Sequence, residues 1–321
     1  MQLEKSSEWQ NTTKIKEFIL LGFGNTENLN ILLFILFLII YTVTLSGNLL
    51  IITLVVVEKR LHTPMYFFLS NFSCLEICYT SAILPKMMAS FITGNRAISF
   101  WGCILQMQFF LTLAATECYL LAAMSYDRYL AICRPLHYVT LMNNKTCILL
   151  VSISCINGLL LITILTSLLT QLTFCDRYKI DHFFCDFTPL VRLSCSDTWM
   201  IERVALITSS LGLLSTFFIT VSFYAFIIQA ILKIPSVNGR QKAFSTCSSH
   251  LTVVSIFYGS LMFVYILPNT GNFEDMKKAF SFLYSVLTPI VNPFIYSLRN
   301  KDIKEILRKK FFKCRRFSDF Y

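Results

Sequence analysis

Asp127, Arg128 and Tyr129 stand together near the end of a long apolar stretch, in the run Met124-Ser125-Tyr126-Asp127-Arg128-Tyr129-Leu130-Ala131-Ile132-Cys133. An acid and a base deep in hydrocarbon would be expensive, so the pair either sits at a membrane–water boundary or performs a function. Two further acids, Glu76 and Glu117, fall inside apolar stretches. Carboxylates in such places face a bundle interior. The pair could share a sodium ion or crowd together around a proton; the alternative is a structural hydrogen-bond network with Asn48 and Asn292. Asn292 also opens Asn292-Pro293-Phe294-Ile295-Tyr296. Proline removes a backbone donor and bends a helix, Asn292 can bond the freed groups, and Tyr296 then points toward the end of the segment, which makes a plausible moving part.

The elements that carry these residues must be membrane helices. Of the 321 residues, 55% are hydrophobic and only 14% charged, against about a quarter charged in a soluble protein. Apolar runs place seven spans near 30–57, 64–91, 100–128, 145–170, 200–232, 243–267 and 278–298. Lipid leaves backbone groups no partner outside their own segment, which makes helices the form for each. Cys103 and Arg128 are 25 residues apart. A helix covers roughly 37 Å over that distance, more than the roughly 30 Å of hydrocarbon, so one helix joins the two faces.

Orientation follows from Lys and Arg in the short connections. Lys59, Arg60, Arg134, Lys145, Lys233, Arg240 and Lys242 share one side with a strongly basic tail. That side is cytosolic, and the N-terminus is outside. The expected organisation is an extracellular segment 1–29, a seven-helix domain 30–298 and a cytoplasmic tail 299–321. Residues 1–29 show no basic-then-apolar signal pattern, and Asn11-Thr12-Thr13 is a glycosylation sequon on the outer side. The +10 net charge lies largely in the tail, where membrane lipid, and not nucleic acid, is the expected partner. Cys103, Cys175, Cys185 and Cys195 all face the outside, and four cysteines in an oxidising space suggest two disulfides with three pairings open. His62, His137, His182 and His250 are scattered without metal spacing, and no nucleophile elbow or phosphate loop is present, which argues against an enzyme. A transporter would predict inverted repeats and paired broken helices, and no internal repeat is seen.

With these residues in hand, the chain resembles the rhodopsin-like G-protein-coupled receptors through Asp127-Arg128-Tyr129, Asn292 to Tyr296 and the outer cysteines. Leu61-His62-Thr63-Pro64-Met65-Tyr66-Phe67-Phe68-Leu69, Met124 to Cys133, Lys242-Ala243-Phe244-Ser245-Thr246-Cys247-Ser248-Ser249-His250 and Pro289 to Asn300 narrow this to the odorant (olfactory) receptors, with a likeness to their tetrapod-type class. The resemblance runs from about Phe18 to Phe311. It implies an all-α seven-transmembrane bundle with a short amphipathic eighth helix, and disulfides Cys103–Cys185 and Cys175–Cys195. It also implies a G-protein switch in which Asp127 holds Arg128 at rest; on activation Arg128 packs near Tyr224 and Tyr296 as the sixth helix moves outward.

The implied partners are a small volatile odorant and a heterotrimeric olfactory or stimulatory G protein that raises cyclic AMP, at the plasma membrane of olfactory neuron cilia. A chemosensory receptor acting in another tissue is the alternative within the same class. The implied ligand positions are Phe110, Leu111, Ala114 and Ala115 on the third helix, Thr208, Ser209 and Gly212 on the fifth, and Tyr258, Leu261, Met262 and Tyr265 on the sixth. They make an apolar cavity with a few hydroxyl groups, suited to an uncharged hydrophobic ligand. No cofactor is required beyond the sodium ion that Glu76 and Glu117 could hold. Three residues depart from the family pattern: Ser125 stands where Ala is usual, Glu76 where Asp is more common, and Cys155 where Trp is usual.

Overall fold

The computed structural model describes residues 15–24, 29–175, 177–267, 273–299 and 303–309, without the side chains of 242, 243, 245, 246, 249, 294 and 296–299. Five of its helices are long and apolar enough to cross a membrane: α1 (Asn30–Val57), α2 (Pro64–Thr93), α3 (Phe100–Cys133), α5 (Asn144–Leu169) and α7 (Trp199–Leu232). The sixth span is α8 (Val237–Tyr265), apolar from His250 onward. The seventh runs through α9 (Glu274–Phe282), one π-helical turn (Leu283–Leu287) and α10 (Thr288–Arg299). Two short helices complete the connections: α4 (Pro135–Leu141) on the cytosolic side and α6 (Phe187–Leu193) on the outer side. Residues 303–309 form α11, in the place expected for the eighth helix. Its Ile303 and Ile306 are buried against Ile51, Leu54 and Tyr66 of α1 and α2.

Local chemistry sets the ends of these helices. Pro64 occupies the first turn of α2, where its missing N–H costs nothing. Gly94 closes the same helix in the left-handed conformation, φ 69°. Ser99 caps α3 by accepting from the Gly102 N–H, Asn143 caps α5 through Thr146, and Ser236 caps α8 through Gly239. Three ends differ from the hydropathy reading by four residues or more, one of them the start of the seventh span, at Glu274 and not near 278. α3 continues past Arg128 to Cys133, and α8 starts at Val237, because helical hydrogen bonding extends beyond the hydrocarbon until Pro135 or a cap intervenes.

On the outer side a three-stranded sheet in the order β2-β1-β3 joins parts of the chain that hydropathy left separate. β1 (Glu17–Leu20) pairs antiparallel with β2 (Ala97–Ser99), Glu17 opposite Ser99, and parallel with β3 (Lys179–Ile180). Phe18 is fully buried beneath it, against Phe100 and Phe174. Arg96 donates to the carbonyls of Leu21 and Gly24 at 3.0 and 3.1 Å, fixing the turn after β1. Disulfides join Cys103 to Cys185 and Cys175 to Cys195, with Cα atoms 5.4 and 6.1 Å apart. The first fastens the segment before α6 to the top of α3, so that residues 177–193 form a lid whose Phe184 packs on Phe110 of α3 and whose Asp186 accepts from Tyr265 of α8.

Candidate functional site

Below that lid, α3, α5, α7 and α8 line a partly open apolar cavity of about 90 Å³. Eight of the eleven residues expected from sequence line it: Leu111, Ala114, Ala115, Thr208, Ser209, Gly212, Leu261 and Tyr265. Thr208 turns its hydroxyl back to the carbonyls of Val204 and Ala205, at 2.8 and 3.1 Å, and so shows the cavity mainly its methyl side. Gly212 preserves the space. A Cβ there would lie 3.3 Å from Leu161 Cδ1 and 3.6 Å from the Tyr119 hydroxyl.

Phe110, Tyr258 and Met262 do not line the cavity, and each has a physical reason. Phe110 is fully buried under the lid, its ring centroid 4.8 Å from Phe184 and 5.9 Å from both Tyr79 and Tyr284. Tyr258 is fully buried and its hydroxyl donates to the Cys118 carbonyl at 2.8 Å, locking α8 against α3. Met262 packs against the main hydrophobic core. In their place the wall is completed by Cys118 and Tyr119 of α3, by Leu161, Ile162 and Leu165 of α5, by Leu213 of α7, and by Phe187 from the lid. Nothing in the sequence marks the α5 residues, because their apolar periodicity is the same as that of a lipid-facing helix.

The roof is polar. Asp186 caps α6 by accepting from the Phe187 N–H at 2.8 Å, and the same oxygen accepts from the Tyr265 hydroxyl at 3.0 Å. The Tyr265 hydroxyl also pairs with that of Tyr284 at 2.7 Å. Burial pushes Asp186 up to about 6, against the hydrogen bonds from Phe187 and Tyr265 and the nearby charge of Lys277, which pull it down. Above Asp186 a second cavity of about 300 Å³ lies between the lid and α9. Ion pairs Lys278–Asp181, at 2.7 Å, and Arg192–Glu274 span it. His182 lies in its wall, and burial, reinforced by Lys278, lowers it to about 3.

Midway through the bundle, Asn292 donates to Glu76, and Asn48 donates to the Thr44 and Pro289 carbonyls at 3.2 and 3.5 Å. Glu76 and Glu117 are fully buried. Asn48 Oδ1, Glu76 Oε2 and both Glu117 carboxylate oxygens have no hydrogen-bond partner among the described residues. Buried oxygens of this kind fit a proton or a small cation, since leaving them bare is costly.

At the cytosolic end Arg128 Nε lies 3.9 Å from Asp127 Oδ2, and the Tyr138 hydroxyl of α4 donates to Asp127 Oδ1 at 2.9 Å. Tyr129 packs against Phe223 and Phe226 of α7, ring centroids 5.2 and 5.9 Å away. Tyr224 is buried, its hydroxyl 2.5 Å from His250 Nδ1. The α7–α8 seam is thus held by a polar contact that the sequence did not single out, although His250 ends one of the quoted motifs. Pro293 is buried in α10, with its Cβ 3.0 Å from the position a Cβ on Gly47 of α1 would take. The side chain of Tyr296 and the whole of Asn11 lie outside the described residues.

Seven spans, a lid disulfide-bonded to the third of them, an apolar cavity beneath it and a charged pair at the cytosolic boundary define a multi-pass membrane receptor, with no catalytic constellation among the described residues. The olfactory receptor family model matches residues 37–314. The chain is 47% identical over 309 residues to olfactory receptor 6E1 of Mus musculus, covering 96% of this chain and 99% of that protein. It is 47% identical over 296 residues to olfactory receptor 2AP1 of Homo sapiens (92% and 96% covered) and 48% identical over 301 residues to the human olfactory receptor 6N1 (94% and 96%). The chain belongs to the olfactory receptor family, and is a G-protein-coupled receptor for odorants, not an enzyme.

Proposed function

We propose that the cavity between α3, α5, α7 and α8 is the odorant site and that it takes small, uncharged, mostly hydrophobic volatiles. The observation that carries this reading is the lining. It is almost wholly apolar, with Ser209 and Tyr265 among its few polar groups, and no ionised side chain lines it among the described residues. A charged ligand would have to leave water without a counter-charge, whereas an apolar one gains about 25 cal/mol for each Å² of surface it buries. At about 90 Å³ the cavity is smaller than the 150 Å³ void that holds benzene elsewhere. A ligand of ordinary odorant size extends through its open side or displaces a wall, and α8 is the wall whose displacement reaches the cytosolic end.

The signalling half of the proposal is that Arg128, released from Asp127, engages the olfactory or stimulatory G protein and raises cyclic AMP, with Tyr129, Tyr224, Asn292, Pro293 and Tyr296 completing the switch. What supports it is the location of Arg128 at the inner end of α3, beside the Tyr224–His250 contact that holds α7 to α8. Outward motion of α8 must break that contact. Glu76, Glu117 and Asn48 would hold a sodium ion or a proton at rest; one such cation would neutralise one of the two buried acids, and the other would stay neutral by keeping its own proton. The basic tail rests on anionic lipid of the inner leaflet, and the working site is the ciliary membrane of olfactory neurons.

The test is a cyclic AMP assay in cells that supply the olfactory G protein, against a panel of neutral volatiles, with Arg128→Ala as the control. A response present in wild type and absent from the variant at equal surface density is the expected result. Full response from Arg128→Ala would overturn the switch assignment, and wild-type response confined to charged compounds would overturn the cavity assignment.

A further inference from the structure

The larger of the two cavities is not the odorant site. It lies above the roof, opens to the outside, and is lined by Lys179, His182, Asp186 and Arg192 of the lid and by Lys277 and Lys278 of α9. At about 300 Å³ it has more than three times the volume of the apolar cavity. Its acids and bases are not arranged alike. Asp181 and Glu274 stand at the rim, their side chains 65% and 51% exposed, each paired with one cation. Asp186, His182 and Lys277 form the floor, 1%, 5% and 9% exposed.

Two floor atoms are unused. Asp186 accepts both of its hydrogen bonds on Oδ1, leaving Oδ2 without a partner among the described residues. His182 accepts from the Phe184 N–H on Nδ1, so its ring proton resides on Nε2, which also has no partner among them. Both residues line the chamber, so these two atoms are open to whatever fills it. Four cations meet three carboxylates around the chamber, so it favours a negative ligand. A metal ion is disfavoured, because Lys277 and Lys278 face the same floor.

We propose that this chamber is a second binding site, and that it takes a small anion bearing hydroxyl groups, of the sugar-acid class. The carboxylate lies beside Lys277, whose Nζ also donates to the Leu267 carbonyl at 2.7 Å, beside Arg192, which also pairs with Glu274, and beside the His182 Nε2–H, while a ligand hydroxyl donates to Asp186 Oδ2. Thr188 and Ser281 supply further hydroxyls in the walls. The volume suits a molecule of this size better than a two-carbon acid. Because Asp186 Oδ1 holds the Tyr265 hydroxyl, and Tyr265 lines the apolar cavity, the anion acts on the wall of the odorant site from outside.

The experiment is titration of gluconate into the purified full-length receptor in lipid nanodiscs, read as a shift in melting temperature and as heat of binding, with glucose and acetate as probes that each lack one half of the ligand. Saturable binding of gluconate, with glucose and acetate each weaker by about tenfold or more, is expected. Lys277→Gln removes the anion preference, and Asp186→Asn, which retains an Asn able to cap α6, narrows the gap between gluconate and acetate. Lys179→Gln, at the exposed rim, serves if Lys277→Gln fails to fold, and weakens gluconate more than glucose. No saturable gluconate binding, or binding indifferent to Lys277→Gln and Lys179→Gln, overturns the proposal. The assay needs neither odorant nor G protein, so its failure is separate from any failure of the odorant reading.

Discussion

The roof makes a prediction about acid that can be worked through from two residues with opposite signs. His182 is held at about 3 against an ordinary 6.5, because its charged form would be buried. A base with a lowered value binds fewer protons folded than unfolded, so its contribution is intact above 6.5 and is lost as pH falls below it. Asp186 is raised to about 6 against an ordinary 3.8, also by burial. A carboxyl with a raised value binds more protons folded than unfolded, so acidification through about 6 stabilises the fold until the unfolded chain protonates too.

Between about pH 7 and about pH 5 the histidine alone costs about 2 kcal/mol and the aspartate alone returns about 1 kcal/mol. The two partly offset, and the roof of the wild-type receptor responds less to mild acid than either group would alone. Each single variant exposes the other group. Asp186→Asn, which keeps the α6 cap, leaves His182 uncompensated and loses about 2 kcal/mol on going from about pH 7 to about pH 5, relative to its own neutral value. His182→Gln leaves Asp186 alone and gains about 1 kcal/mol over the same interval. The assay is thermal melting of the purified receptor at the two pH values. Comparing each variant with wild type removes the titration of groups shared by all three. Variants that shift in the same direction, or that parallel wild type, would refute the reasoning, because no arrangement in which burial dominates both groups produces that pattern.

The other expectations are simpler. Cys103→Ser or Cys185→Ser unfastens the lid from α3 and should cost about 2–5 kcal/mol, read as loss of surface receptor by flow cytometry; wild-type surface density of either variant would count against the bridge's importance. At Gly158 a Cβ would lie 2.5 Å from Thr116 Oγ1 and 2.8 Å from the Thr112 carbonyl. Gly158→Ala should therefore push α5 off α3 at a cost of about 1–3 kcal/mol, seen as a lower melting temperature, and an unchanged melt would mean that the two helices are less tightly seated than the distances say. Gly212→Val fills the cavity floor against Leu161 and Tyr119, and should weaken agonist potency by about tenfold or more at normal expression; equal potency across an agonist panel would move the odorant site elsewhere. Tyr265→Phe removes the hydroxyl shared by Asp186 and Tyr284 while keeping the ring in the wall, so agonist potency should shift without loss of surface receptor, and constant potency across all agonists would take that hydroxyl out of the ligand's reach.

What could be read from the chain divides along a physical line. Spans were legible because lipid imposes one rule on every residue of a segment, and all seven recur as helical segments in the places hydropathy put them. The bridge Cys103–Cys185, expected from the family resemblance, joins the residues that the resemblance named. The three strands were not legible: at four, three and two residues they carry no alternation to detect, and their pairing depends on residues some 80 and 160 positions apart.

The cavity was half legible for a related reason. Helical periodicity places Leu111, Ala114 and Ala115 on one face of α3, but it does not say what lies opposite. The segment before α6 decides that, by setting Phe184 over Phe110 and Phe187 over the cavity. A residue's spacing along its own helix thus fixes a direction, while occupancy of that direction is set by a lid whose position comes from a disulfide and a strand. The charged chamber follows the same logic more strongly. Asp181, His182, Asp186 and Arg192 read as an ordinary polar connection, and they become a site only because β3 and Cys185 hold them facing Lys277 and Lys278 on a helix nearly 100 residues away.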